Sequence, residues 1–179
     1  MHSVELIAGP PQCGKSVAAE SRTLELSGRI GKRLYVATLP ALPQFAERIA
    51  QHRLRRGDLW RMVEIRRDLA EAREAIDSLG RCQRHVLLDG ISAWIGRQID
   101  RQMVLHRRPR CPDSIAAALL RAIAEMQSHC EHLIVVGTVV EHDPSNDSWT
   151  SVAVTANELV LKGIAQFADS VTLLPSKDL

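Results

Sequence analysis

One eight-residue segment, Gly9-Pro10-Pro11-Gln12-Cys13-Gly14-Lys15-Ser16, constrains this chain more than any other feature. It has the form G-x-x-x-x-G-K-[ST] and stands where that form has a mechanism. Val4 and Leu6 to Ala8 read as a buried strand before it, and a helix is expected from Lys15 to Leu26 after it. Glycines let the backbone turn so that successive N–H groups and a helix N-terminus point at one anion. Lys15 then places its ammonium on β- and γ-phosphate oxygens, and Ser16 offers its hydroxyl to Mg²⁺. The segment is therefore expected to hold a nucleoside triphosphate, ATP or GTP, with Lys15 in a catalytic role.

The rest of the chain alternates strands with helices. Strands are expected at Leu34–Ala37, Val86–Asp89, Leu133–Gly137 and Ser170–Leu174. Helices are expected over Pro43–Arg56, ended by Gly57, and over Asp68–Leu79, Ile91–Met103, 114–127 and Val154–Phe167. Asp113-Ser114 can cap the fourth of these. His106–Pro112 reads as a loop rich in Arg and Pro, and Glu141–Trp149 as a polar turn region. Short, wholly apolar strands between helices indicate a three-layer α/β domain with a mostly parallel sheet. At 179 residues one domain is expected.

Composition removes several classes. An apolar fraction of 45% with 25% charged residues belongs to an ordinary globular chain. No apolar run approaches a membrane span and the N-terminus lacks the pattern of a signal peptide, so a cytoplasmic location is expected. Cys13, Cys82, Cys111 and Cys130 have no C-x-x-C spacing and read as reduced thiols. His129, Cys130, His132 and His142 lack metal-site spacing. Trp60 and Trp94 read as packing residues, and Trp149, in its polar segment, as the tryptophan best placed for a ligand.

The net charge of +2 conceals an asymmetry. Residues 1–110 carry 20 Lys and Arg against 12 Asp and Glu, whereas 111–179 carry 3 against 9. The basic half suits anionic partners. Nucleic acid is not expected among them, because aromatic platforms are few and no nucleic-acid motif appears.

Two further positions carry chemistry. Asp89 ends an apolar strand where a phosphate loop needs a neighbouring carboxylate to organise Mg²⁺; it could equally cap a turn before Gly90. His52 follows Phe45 and Ile49 at helical spacing, which puts it on an inward face flanked by Arg48 and Arg55, with Arg53 and Arg56 beside it. Surrounding cations favour a neutral imidazole that could attack phosphorus; the other reading is a half-buried histidine beside a solvated arginine face.

These residues, taken in order, resemble a known family. Gly9-x-x-x-x-Gly14-Lys15-Ser16, Leu34-Tyr35-Val36-Ala37-Thr38, Arg48-Ile49-x-x-His52, Trp60-Arg61-x-x-Glu64 and Val86-Leu87-Leu88-Asp89-Gly90-Ile91-Ser92 are similar to the bifunctional adenosylcobinamide kinase / adenosylcobinamide-phosphate guanylyltransferase. The match is good over about the first 100 residues. The resemblance implies a RecA-like P-loop domain acting late in cobalamin assembly, with a corrinoid, adenosylcobinamide, as substrate. It implies phosphorylation of the aminopropanol hydroxyl, then transfer of GMP from GTP through a guanylyl-histidine, which falls on His52. Nucleotide contacts would fall on the phosphate loop, Ala37, Thr38, Leu39, Arg53, Leu54, Arg55, Arg56, Glu64 and Asp89. It also implies a small homo-oligomer, often a trimer.

The second half departs from that pattern. After Leu133–Gly137 the chain continues Thr138-Val139-Val140-Glu141-His142-Asp143-Pro144-Ser145-Asn146, with Pro144, Asn146 and Asn157 echoing family positions and the intervening arginines absent. The departure over 138–158 bears on the acceptor more than on the nucleotide. Arg107, Arg108 and Arg110 could replace the missing phosphate contacts or form a solvated basic loop. The alternative function is a P-loop nucleotide-binding regulatory protein or NTPase derived from this family that has lost one or both activities or uses another acceptor.

Overall fold

The computed structural model describes residues 2–28, 31–39, 43, 46–66, 69–80, 84–106, 111–140 and 148–176. Six strands, β1 Ser3–Gly9, β2 Lys32–Ala37, β3 Arg61–Glu64, β4 Arg84–Asp89, β5 His132–Thr138 and β6 Ser170–Leu173, form one sheet in the order β3-β2-β4-β5-β1-β6. Every pair is parallel, so the expectation of a mostly parallel sheet sharpens to a wholly parallel one. Among the described residues the helices are α1 Lys15–Ser27, α2 Ala46–Arg56, α3 Ala70–Asp77, α4 Ile91–His106, α5 Pro112–Ser128 and α6 Ser148–Phe167.

Because side chains alternate along a strand, the apolar runs feed two cores. Leu34, Val36, Val86, Leu88, Leu133 and Val135 enter the larger one, with residues of α3, α4, α5 and α6. Ile7, Tyr35, Leu87, Ile134 and Val136 enter a smaller one beneath Ala19 of α1, closed at one side by Trp60. Leu34, Leu87, Leu88 and Leu133 are completely buried; each contributes about 1.5–3 kcal/mol relative to exposure.

The structure corrects several expectations. The segment Arg61–Glu64, read only as a motif, is an edge strand paired with β2; four residues with charges at both ends carry too little periodicity to announce it. Helix α6 starts at Ser148 rather than Val154, so Trp149 lies on a helix and packs against the larger core instead of standing in a polar turn. Helix α5 has Pro112 in its first turn and Cys111 as N-cap, with no side-chain cap bond, so Asp113-Ser114 does not cap it; Asp113 Oδ2 accepts from the Cys111 thiol at 2.9 Å. Helix α4 runs on to His106. Phe45, Asp68, Cys82, Arg107, Arg108, Arg110, His142, Pro144 and Asn146 lie outside the described residues.

Cys13, Cys111 and Cys130 form no disulfide, and burial pushes the Cys130 thiol up to about 12. No helix among the described residues is long and apolar enough to cross a membrane.

Candidate active site

Asp89 does not sit on a strand adjacent to the phosphate-loop strand, as expected; β5 lies between β4 and β1. Residues at the C-terminal ends of β2, β3, β4 and β5, with the phosphate loop and α2, line a cavity of about 630 Å³. That volume suits a small-molecule site.

Strand periodicity selects the cavity floor. Tyr35 and Ala37 of β2, Met62 and Glu64 of β3, Asp89 of β4, and Val136 and Thr138 of β5 all line it. In the sheet Ala37 pairs with both Glu64 and Asp89, so the two carboxylates flank one small residue. Pro11, Gln12, Gly14, Lys15, Ser16 and Val17 line it from the phosphate loop and α1, and Ile49, His52, Arg55 and Arg56 line it from α2. Leu39, Gly90, Ser92 and Ala93 complete the lining.

The phosphate loop has the backbone its mechanism requires. Gly14 is the N-cap of α1 with φ 95°, a left-handed conformation that a β-carbon would strain. The first turn of α1 therefore opens into the cavity, and its free N–H groups and dipole favour an anion there. Lys15 is only 7% exposed and its ammonium donates to the Pro10 carbonyl.

The same geometry accounts for expected residues that do not line the cavity. Gly9 lies behind the loop, where an added Cβ would stand 2.7 Å from the Leu174 carbonyl and 2.8 Å from Cys13 Sγ. Pro10 and the buried Cys13 shape the loop from within. Thr38 is fully buried and its hydroxyl donates to the Gly90 carbonyl. Leu54 is 86% exposed, and Arg53, half-exposed, pairs with Glu64 of the cavity floor without itself lining the cavity.

Arg53, Arg55 and Arg56 are not free forks. Arg55 donates from Nε and Nη2 to the Glu20 carboxylate at 2.7 and 2.9 Å, and its Nη2 lies 3.3 Å from His52 Nδ1. That hydrogen bonding to Glu20 raises the Arg55 pKa further above its ordinary value. Arg56 is 4% exposed; its Nε donates to the His52 carbonyl at 2.8 Å, and its guanidinium carbon lies 3.5 Å from the centroid of the Tyr35 ring. Tyr35 in turn donates its hydroxyl to Asp89 Oδ2. Burial, reinforced by the Asp89 carboxylate, holds the Tyr35 hydroxyl well above the ordinary phenol value, so it remains a donor.

On the far side of the cavity Asn157, 3% exposed, accepts from the Ser92 hydroxyl and donates to the Thr138 carbonyl, each at 2.8 Å. Sequence reasoning did not place Tyr35, Met62, Ser92, Val136 or Thr138 at the site. The signal for Tyr35 was present: it stands two residues before Ala37 and so shares its face.

Among the described residues no group of three or more His, Cys, Asp or Glu could hold a metal unaided. Ser16 and Asp89 nevertheless offer two hard oxygen donors on one cavity wall and floor. That is the donor set of a cation completed by phosphate oxygens and water, as Mg²⁺ is with nucleotides.

Comparison with curated proteins finds no match. The family model described as CobU, cobinamide kinase / cobinamide phosphate guanyltransferase, matches residues 5–174, well beyond the first hundred residues that carry the motifs. The phosphate loop on a wholly parallel sheet is the P-loop NTPase fold of that family, which serves cobalamin biosynthesis as a kinase and guanylyltransferase. The chain therefore belongs to the cobinamide kinase / cobinamide phosphate guanyltransferase family.

Proposed function

We propose that this protein is a bifunctional enzyme, working as one domain in a small homo-oligomer, that phosphorylates adenosylcobinamide and then transfers GMP from GTP to the phosphate it has made. The observation that carries the reading is that His52 and the phosphate loop line the same cavity. In the first reaction the aminopropanol hydroxyl attacks the γ-phosphorus of ATP or GTP, the bond to the bridging oxygen breaks, and the diphosphate leaves. Lys15 and the first N–H groups of α1 stabilise the charge on the transferring group. Ser16 and Asp89 would hold Mg²⁺, which when bound neutralises charge on the phosphate oxygens.

In the second reaction an imidazole nitrogen of His52 attacks the α-phosphorus of GTP and pyrophosphate leaves. The acceptor's phosphate oxygen then attacks the same phosphorus, the P–N bond breaks, and His52 is regenerated. Splitting one displacement into two through a reactive phosphoramidate is the gain from covalent catalysis. The Glu20–Arg55 pair supports this reading because it holds a cation 3.3 Å from Nδ1, beside the ring that would meet the phosphate.

The test is to incubate the protein with GTP and Mg²⁺, with and without adenosylcobinamide, and to read intact mass and corrinoid products. A GMP adduct that is absent in His52→Ala, together with phosphorylated and GDP-linked corrinoid, is the expected result. Nucleotide binding with neither adduct nor product would overturn it in favour of the regulatory reading.

A further inference from the structure

Asp89 and the helix that carries His52 belong to different parts of the chain, yet one side chain touches the supports of both. The Tyr35 hydroxyl donates to Asp89 Oδ2. The face of its ring carries the Arg56 guanidinium at 3.5 Å, and that guanidinium holds the His52 carbonyl through Nε. Tyr35 is itself fixed: it is 4% exposed, and Trp60 packs edge-on against it with ring centroids 6.1 Å apart. Arg56 cannot relax into water, because it is buried, and its Nη1 has no hydrogen-bond partner among the described residues.

We propose that Tyr35 is a positioning residue with two separable functions: its hydroxyl aims the Asp89 carboxylate, and its ring face, through Arg56, seats the C-terminal half of α2 and with it His52. The Asp89 part rests on the assignment of Asp89 to Mg²⁺ made above; the α2 part does not. A carboxylate with one oxygen bonded to a fixed donor presents the other in one direction, which is how an outer partner tunes a metal ligand. A cation over an aromatic face is attracted by the ring quadrupole, and burial strengthens that attraction. Phenylalanine at this position would keep the face and lose the donor, so substitution can divide the two functions.

The experiment needs no turnover, so its failure is distinct from failure of the proposed reactions. Wild-type protein, Tyr35→Phe and Tyr35→Leu are stripped of metal with EDTA, transferred to chelator-free buffer, saturated with GTP and titrated with Mg²⁺, following the metal by calorimetry against a GTP blank; hydrogen exchange of the α2 amides is measured separately without nucleotide. For Tyr35→Phe the Mg²⁺ midpoint is expected to rise about three- to tenfold, the factor for one lost hydrogen bond. Its metal-free GTP affinity should fall by less than the metal effect, and α2 exchange should stay within about twofold of wild type, since the ring face that meets Arg56 is kept. For Tyr35→Leu the metal effect should recur and α2 exchange should quicken by about fivefold or more, the equivalent of a lost cation–π contact. Should the leucine variant fail to fold, Arg56→Met replaces it as the test of the ring-face contact, with faster α2 exchange again expected. An unchanged Mg²⁺ midpoint in Tyr35→Phe overturns the first function. A fall in metal-free GTP affinity as large as the metal effect also overturns it, since that would mark general structural damage. Unaltered α2 exchange without the ring face overturns the second.

Discussion

Removing the Glu20 carboxylate should loosen α2 from the body of the protein before it unfolds the sheet. Glu20, 5% exposed on α1, accepts both Arg55 nitrogens at 2.7 and 2.9 Å and lies 3.7 Å from Arg56 Nε. In Glu20→Ala the two arginines fare differently. The Arg55 side chain is 38% exposed and regains water, so its share is close to that of a surface pair, about 0–1 kcal/mol. The Arg56 side chain is 3% exposed and keeps its charge with no other ion pair among the described residues, approaching the lower end of the roughly 3–5 kcal/mol seen when a buried pair is broken. A net cost of about 2–4 kcal/mol follows once both shares and partial relaxation are combined. For a chain of this length that lowers Tm by about 5–15 °C. The assay is a thermal melt of wild type, Glu20→Ala, Arg55→Ala and the double variant, with hydrogen exchange of α2. The cycle should return a coupling of about 1 kcal/mol between Glu20 and Arg55, and α2 amides should lose protection before those of β4 and β5. A Tm within about 2 °C of wild type with unchanged α2 exchange would refute the reasoning, because it would cost less than about 1 kcal/mol.

Three further outcomes follow from the geometry. His85 is buried, its ring stacked on that of His132 with centroids 4.9 Å apart, and burial first, then His132, holds its pKa below the ordinary 6.5 against the opposing pull of Glu131. The unfolded chain therefore binds this proton first, so stability should fall as pH drops through about 6.5 toward the folded value, by at most about 1.4 kcal/mol per pH unit. Denaturant melts between pH 5 and 8 should show a shallower slope for His85→Leu; an equal slope would exclude His85 as the source. Asn157→Ala removes two buried hydrogen bonds and should cost about 1–3 kcal/mol in the same melts. Gly9→Ala forces a Cβ against the Leu174 carbonyl and Cys13, so it should cost about 1–3 kcal/mol and weaken GTP binding. Gly96→Ala, where a Cβ meets open space, is its control and should do neither.

How much of the site was legible in the sequence depended on whether a contact was local. Gly14, Lys15 and Ser16 line the cavity from a single strand–turn–helix unit, so their neighbours in sequence are their neighbours in space. Ile49 and His52 share a helix face, and that face does line the cavity. Where nearest neighbours gave no rule, the reading misplaced residues. Thr38 follows Ala37 directly, and the strand's two-residue period turns it away from the cavity while admitting Tyr35. Leu54 falls within the arginine run and points outward for the equivalent helical reason. Edge strand β3 and the early start of α6 were missed because short or polar segments take their structure from what they pack against.

The sequence by itself determined the alternation of strand and helix, the anion-binding turn and the presence of an imidazole among cations, because each is encoded in residue spacing along a few turns of chain. Only the tertiary structure decided that β5 separates β4 from β1, that Arg53, Arg55 and Arg56 are already engaged by Glu64, Glu20 and Tyr35, and that Tyr35 touches both Asp89 and Arg56. Those arrangements depend on strand order and on side chains dozens of residues apart meeting across a sheet face. A parallel sheet separates sequence neighbours by whole crossovers, so no local pattern records which of its strands will lie side by side.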